Sequence, residues 1–140
     1  MKFRLSGVAL TLMAVVSGCG LTGPAPSEEP AQSGEISVDG TSQDTESVEC
    51  TQHAWDMMID AAAEPGHAEV FLHLGGAEPI VRTVNIANIN DIHGVAGGDT
   101  GKAEATIDGN VYTITGTVVG SDRANPSKSR PMPFEIKAPC

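Results

Sequence analysis

Asp108-Gly109 sits between two β-rich runs, residues 102–107 and 111–119. Asp-Gly in that setting is a strong local signal for a hairpin, because glycine supplies the positive φ that a tight two-residue turn needs. The same texture recurs along the chain. Ile36 and Val38 share a face just ahead of the turn residues Asp39-Gly40, and Val48 and Cys50 share one within residues 47–52. Residues 67–74 alternate Ala68, Val70, Leu72 and Leu74 against Glu69, Phe71 and His73. Residues 80–86 form a further run, interrupted by Arg82, and residues 134–137 a short last one. Period-two alternation broken by Gly and Pro predicts an all-β domain, mainly antiparallel, with an open sheet or a half-barrel or sandwich-like closure.

Residues 54–64 fit two templates. Trp55, Met58, Ile59 and Ala62 would make a helical stripe, while Trp55, Met57, Ile59 and Ala61 would line one face of a strand. The neighbouring strands favour the second. Either way these residues supply much of the apolar surface. Trp55, Met57, Ile59, Val70 and Leu72 are the candidate lining of a ligand groove for an acyl chain, or else simply the small core.

The N-terminus belongs to a different regime. Lys2 and Arg4 precede an apolar run over residues 5–16, and small residues follow. This is the pattern of a secretory signal peptide. The run is too short to span a bilayer, which takes about 20 apolar residues. Val16-Ser17-Gly18-Cys19 resembles a bacterial lipobox, which implies cleavage between Gly18 and Cys19 and a lipid on the Cys19 sulfur. One acyl chain binds membranes only marginally, while two or three hold firmly. Residues 19–34 are rich in Pro, Gly, Ser and Glu and offer almost nothing to bury, as expected of a disordered tether. The expected organisation is therefore a leader over 1–18, a lipid-anchored tether over 19–34 and one β domain over 35–140.

Export bears on the remaining cysteines. Cys50 and Cys140 would enter an oxidising space, where an even pair usually forms a disulfide. Free thiols or metal ligation are the alternative, without a C-x-x-C spacing to support them. Charge bears on partners. Loss of Lys2 and Arg4 with the leader lowers the basic count from 8 to 6 against 18 acidic residues, a net charge of −12. So acidic a surface argues against nucleic acid, whose phosphates need Lys and Arg. It argues equally against docking on anionic lipid heads, so membrane attachment must be covalent.

Motifs for chemistry are incomplete. AGGDTGKA, residues 96–103, lacks the Gly and Ser/Thr that a phosphate-binding loop requires, and a strand follows where a helix should open. His67 and His73 share a strand face but stand six residues apart, about 20 Å along an extended chain. Asp56 and Asp60 would meet only on a helix. No catalytic residue, metal ligand set or cofactor is expected from these patterns.

The stretch VYTITGTVVGSDRANPSKSRPMPFEIKAPC, residues 111–140, resembles the C-terminal part of the mycobacterial LpqH-type lipoprotein antigen family. EISVDG at the domain's start, SVECT around Cys50 and the lipobox at Cys19 carry the resemblance further, over nearly all of residues 35–140. The resemblance implies an exported, acylated, surface-exposed lipoprotein on the extracytoplasmic side of the envelope. It implies recognition of the acylated N-terminus by host Toll-like receptor 2, and it carries over no catalytic residues. Two functions then compete: display and binding, of a lipid or protein ligand, or an enzyme or enzyme-accessory domain whose site is dispersed in sequence.

Overall fold

The computed structural model describes residues 33–140. The expected leader, Cys19 and the expected tether to residue 32 lie outside the described residues. Ten strands follow: β1 Glu35–Val38, β2 Thr41–Asp44, β3 Ser47–His53, β4 Asp56–Ala63, β5 Gly66–His73, β6 Ile80–Ile89, β7 Ile92–Gly97, β8 Lys102–Asp108, β9 Val111–Asp122 and β10 Arg130–Pro139. All pair antiparallel in one sheet, ordered β2-β1-β10-β9-β7-β6-β5-β4-β3. β8 lies off this path. It pairs with residues 111–117 of β9, while β7 pairs with residues 119–122 of the same strand.

The fold is thus all-β, as the alternation predicts, and the sheet curls. Its two ends meet: Gln43 of β2 donates through Nε2 to the Glu64 carbonyl at 3.2 Å, and Glu46 N donates to Ala62 O at 2.7 Å. Curling lets one face close on itself. Ile36 and Val38 of β1, Ile114 and Val118 of β9, and Met132, Phe134 and Ile136 of β10 meet the buried rows of β4 to β7 inside the curl. Alanines thin the β4–β5 part of the inner face, where Ala61 stands directly opposite Ala68.

Residues 54–64 resolve as a turn and then β4, whose Met57, Ile59, Ala61 and Ala63 are buried at alternate positions. A helix there would have set Met58 and Ala62 inward as well. Tertiary pairing with β3 and β5 on both sides decides the matter.

Two strands escape the sequence reading. β2 is short and polar, Thr41-Ser42-Gln43-Asp44, with no apolar alternation to reveal it. β7 follows a two-residue turn at Asn90-Asp91, both with positive φ, flanked by the pair Ile89 and Ile92. Positive φ at both central positions marks a type I′ hairpin turn, and Asn and Asp tolerate it better than most residues. That signal lay in the sequence. A positive φ at Asn88 and a register shift between Ile86 and Ile89 blur the strand leading into it. Residues 96–103, the incomplete phosphate-loop motif, run from the end of β7 through a turn into β8. Gly97 and Thr100 exchange two backbone hydrogen bonds there, at 2.8 and 3.0 Å.

Candidate functional site

The domain's covalent clamp joins Cys50 of β3 to Cys140, the residue after β10. Their Cα atoms are 5.8 Å apart and 90 residues separate them in sequence, within the usual range for a bridge. β3 is an end strand of the sheet, whereas β10 lies near the opposite end of the strand order. The bridge therefore spans the curl, and ordinary strand pairing does not duplicate it. Cys140 N also donates to Asn110 O at 2.7 Å, which sets the chain's last residue on the β8–β9 turn.

The chain enters the domain at a second fastening. Gly34 N donates to Thr45 Oγ1 at 2.6 Å, and Thr45 N donates to Gly34 O at 3.0 Å. Thr45 is buried. Gly34, expected as the last residue of the tether, is itself buried and belongs to the domain. A side chain at that position would run into the Lys137 carbonyl. Nothing in the sequence around Thr45 distinguishes it from the chain's exposed threonines.

The candidate groove residues separate. Met57, Ile59, Val70 and Leu72 are only 6, 0, 1 and 0 % exposed, and they are core. Ile59 faces Val70 and Met57 faces Leu72 across the β4–β5 ladder. The alternation that made them a plausible lining is the signature of the inner face, and the curl fills the space in front of it. Trp55 does not join them. It lies in the β3–β4 turn and is 65 % exposed.

The outer face of the same strands carries the exposed apolar groups instead. Thr51, Met58, Phe71 and Thr83 form one cross-strand row over β3 to β6. Met58 and Phe71 are both exposed. The next row holds His53, Asp56, His73 and Ile80, and His73 Nδ1 lies 2.9 Å from Asp56 Oδ1. His67 and His73 do share this face, as their parity requires.

A shallow cleft of about 430 Å³ lies at the β6–β7–β9 end, lined by Asn88, His93, Ser121, Asp122, Arg123 and Pro126. Its carboxylate is committed: Asp122 Oδ1 accepts from Asn125 N at 2.8 Å, and Asp122 Oδ2 stands 3.7 Å from Arg130. His93 and Ser121 are cross-strand neighbours, but no hydrogen bond joins their side chains. Arg130 also grips Asp39 with two guanidinium nitrogens, at 3.2 and 2.6 Å. Those hydrogen bonds, more than the charge itself, hold the Asp39 carboxyl below its ordinary value. The contact pins the β1–β2 turn to β10.

Comparison with known proteins decides the family. Residues 27–140 match the family model described as the Mycobacterium 19 kDa lipoprotein antigen. The chain belongs to that family. Lipoprotein LpqH of Mycobacterium tuberculosis (strain ATCC 25618 / H37Rv) is 37 % identical, over 76 % of this chain and 68 % of its own length. Lipoprotein LpqH of Mycobacterium avium is 36 % identical over 76 % and 67 %. A putative lipoprotein of Mycobacterium avium subsp. hominissuis is 30 % identical over 75 % and 74 %. The matched region of this 19 kDa antigen family member takes in both fastenings, Gly34–Thr45 and Cys50–Cys140, and every strand of the curl.

Proposed function

We propose that this chain is an exported lipoprotein, cleaved before Cys19, acylated on that residue and held on the extracytoplasmic side of the envelope, where residues 33–140 act by display and binding without catalysis. The observation that carries this reading is Val16-Ser17-Gly18-Cys19 closing a short apolar run in a member of a lipoprotein antigen family. The acidic domain would be repelled by anionic lipid heads, so the covalent lipid does the holding. The acylated N-terminus is the part offered to host Toll-like receptor 2. An acyl ligand seated among Trp55, Met57, Ile59, Val70 and Leu72 is no part of the proposal, since four of the five are core.

The test is expression of the native chain and Cys19→Ala in a mycobacterial host, followed by detergent-phase partitioning. The native protein should enter the detergent phase and the variant should stay aqueous. A variant that still partitions into detergent overturns the anchor. Purified native protein should activate a receptor-2 reporter cell and the variant should not. Equal activation by both would overturn the receptor reading while leaving the anchor intact.

A further inference from the structure

Among the described residues β8 pairs along one edge only, with β9. Its register with β9 runs unbroken through seven pairs, from Lys102 opposite Thr117 to Asp108 opposite Val111. The two-residue turn at Gly109-Asn110 makes Asp108 and Val111 a hydrogen-bonded pair, and bonding then alternates down the ladder. The even residues of β8 bond β9; the Lys102 carbonyl lies against Gly116 on that side, as this requires. The N–H and C=O groups of Ala103, Ala105 and Ile107 therefore point away from β9. Among the described residues no strand or backbone partner meets them. Edges like this are templates for another strand, and proteins often blunt them with a bulge, a proline or inward charge. β8 has no bulge or proline, and its one lysine stands at the end.

Space lies beside this edge. A groove of about 550 Å³ runs between β8 and the β5–β6 loop, with Glu78, Pro79, Glu104, Thr106 and Ile107 on its walls. A smaller one of about 310 Å³ continues it past Glu104 towards Val81 and Gly98. Neither Glu78 nor Glu104 has an ion-pair partner among the described residues. Ile107, 45 % exposed, supplies an apolar landing at the far end.

We infer that the free edge of β8 is a docking site for an extended cationic polypeptide segment, which adds as a strand to Ala103, Ala105 and Ile107 and sets basic side chains against Glu78 and Glu104. Strand addition draws affinity from main-chain hydrogen bonds and selectivity from alternate side chains. The charge selects the occupant. The chain's own tether carries Glu28 and Glu29 and is broken by Pro24, Pro26 and Pro30, so it suits neither the carboxylates nor the edge. A second copy would bring another Glu104 and Asp108 to an already acidic surface. A segment alternating lysine or arginine with an aliphatic residue matches both walls.

The test uses the ¹⁵N-labelled full chain in detergent micelles and an acetylated, amidated hexapeptide alternating lysine and valine. Saturating peptide should slow amide exchange at Ala103, Ala105 and Ile107 about tenfold or more, and leave the already bonded amides of β9 unchanged. Glu78→Gln with Glu104→Gln should weaken binding about fivefold at low ionic strength and much less at high salt. Ile107→Pro removes one outward N–H without touching the β9 ladder and should abolish binding. The exchange pattern of the unsubstituted chain decides the matter even if that variant fails to fold. Peptide that binds without protecting these three amides, or fails to bind at millimolar concentration, overturns the inference. So does protection of the three amides by self-association in the absence of peptide.

Discussion

Gly34 and Thr45 fasten each other twice, amide to hydroxyl at 2.6 Å and amide to carbonyl at 3.0 Å. The hydroxyl is buried, so its removal strands a donor that cannot turn to water. Thr45→Val keeps the shape and deletes the acceptor. It should lower unfolding free energy by about 1–3 kcal/mol, the cost of a buried unsatisfied amide. Denaturant unfolding measures it, and Gly34 amide exchange should quicken in parallel. A Val variant as stable as the native chain would mean the second hydrogen bond suffices alone.

Reduction of Cys50–Cys140 should cost about 2–5 kcal/mol, since the bridge closes a loop of 90 residues and joins elements that strand pairing leaves apart. Calorimetry with and without reductant reads this as a lower Tm. Mass spectrometry of a non-reduced digest should show the two peptides linked. Two freely alkylatable thiols in the native protein would contradict the clamp.

Adjacent residues on β5 should respond very differently to truncation. Leu72 is fully buried and Phe71, its neighbour, is exposed on the outer face. Leu72→Ala should cost about 2–5 kcal/mol through the cavity it leaves. Phe71→Ala should cost about 1 kcal/mol or less, mostly its contact with Met58 across the ladder. Equal losses would remove the distinction between the two faces, and a larger loss for Phe71→Ala would show them assigned the wrong way round.

The Asp39–Arg130 contact predicts an acid limb in stability. Hydrogen bonds from the guanidinium lower the Asp39 pKa below its ordinary 3.8. A carboxyl with a depressed folded-state pKa stabilises the fold above its unfolded value and loses that contribution as pH falls through the folded one. Both groups are solvent-accessible, so the effect should be modest and should shrink in salt. An NMR titration should place the Asp39 midpoint below 3.8 in the native chain and closer to 3.8 in Arg130→Gln. The same midpoint in both proteins would remove the contact from solution.

Local periodicity carried the fold class and the β8–β9 hairpin, because side-chain alternation and turn residues act over a few positions of chain. Val70 and Leu72 could be recognised as apolar and on one face for the same reason. The pairing of Cys50 with Cys140 was legible too, by counting the cysteines that follow the expected leader. Local sequence could not say what the apolar face meets. Whether Met57, Ile59, Val70 and Leu72 line a groove or fill a core depends on β1, β9 and β10 closing over them, and those residues are up to about 80 positions away. β2 is a strand only because β1 accepts it, since Thr41-Ser42-Gln43-Asp44 has no apolar rhythm of its own. Thr45 is buried, and Asp39 meets Arg130 across 91 residues, only because the sheet curls. The free edge of β8 likewise depends on tertiary structure, because a strand's own sequence fixes which way its side chains alternate but not whether a neighbour arrives to take its outward hydrogen bonds.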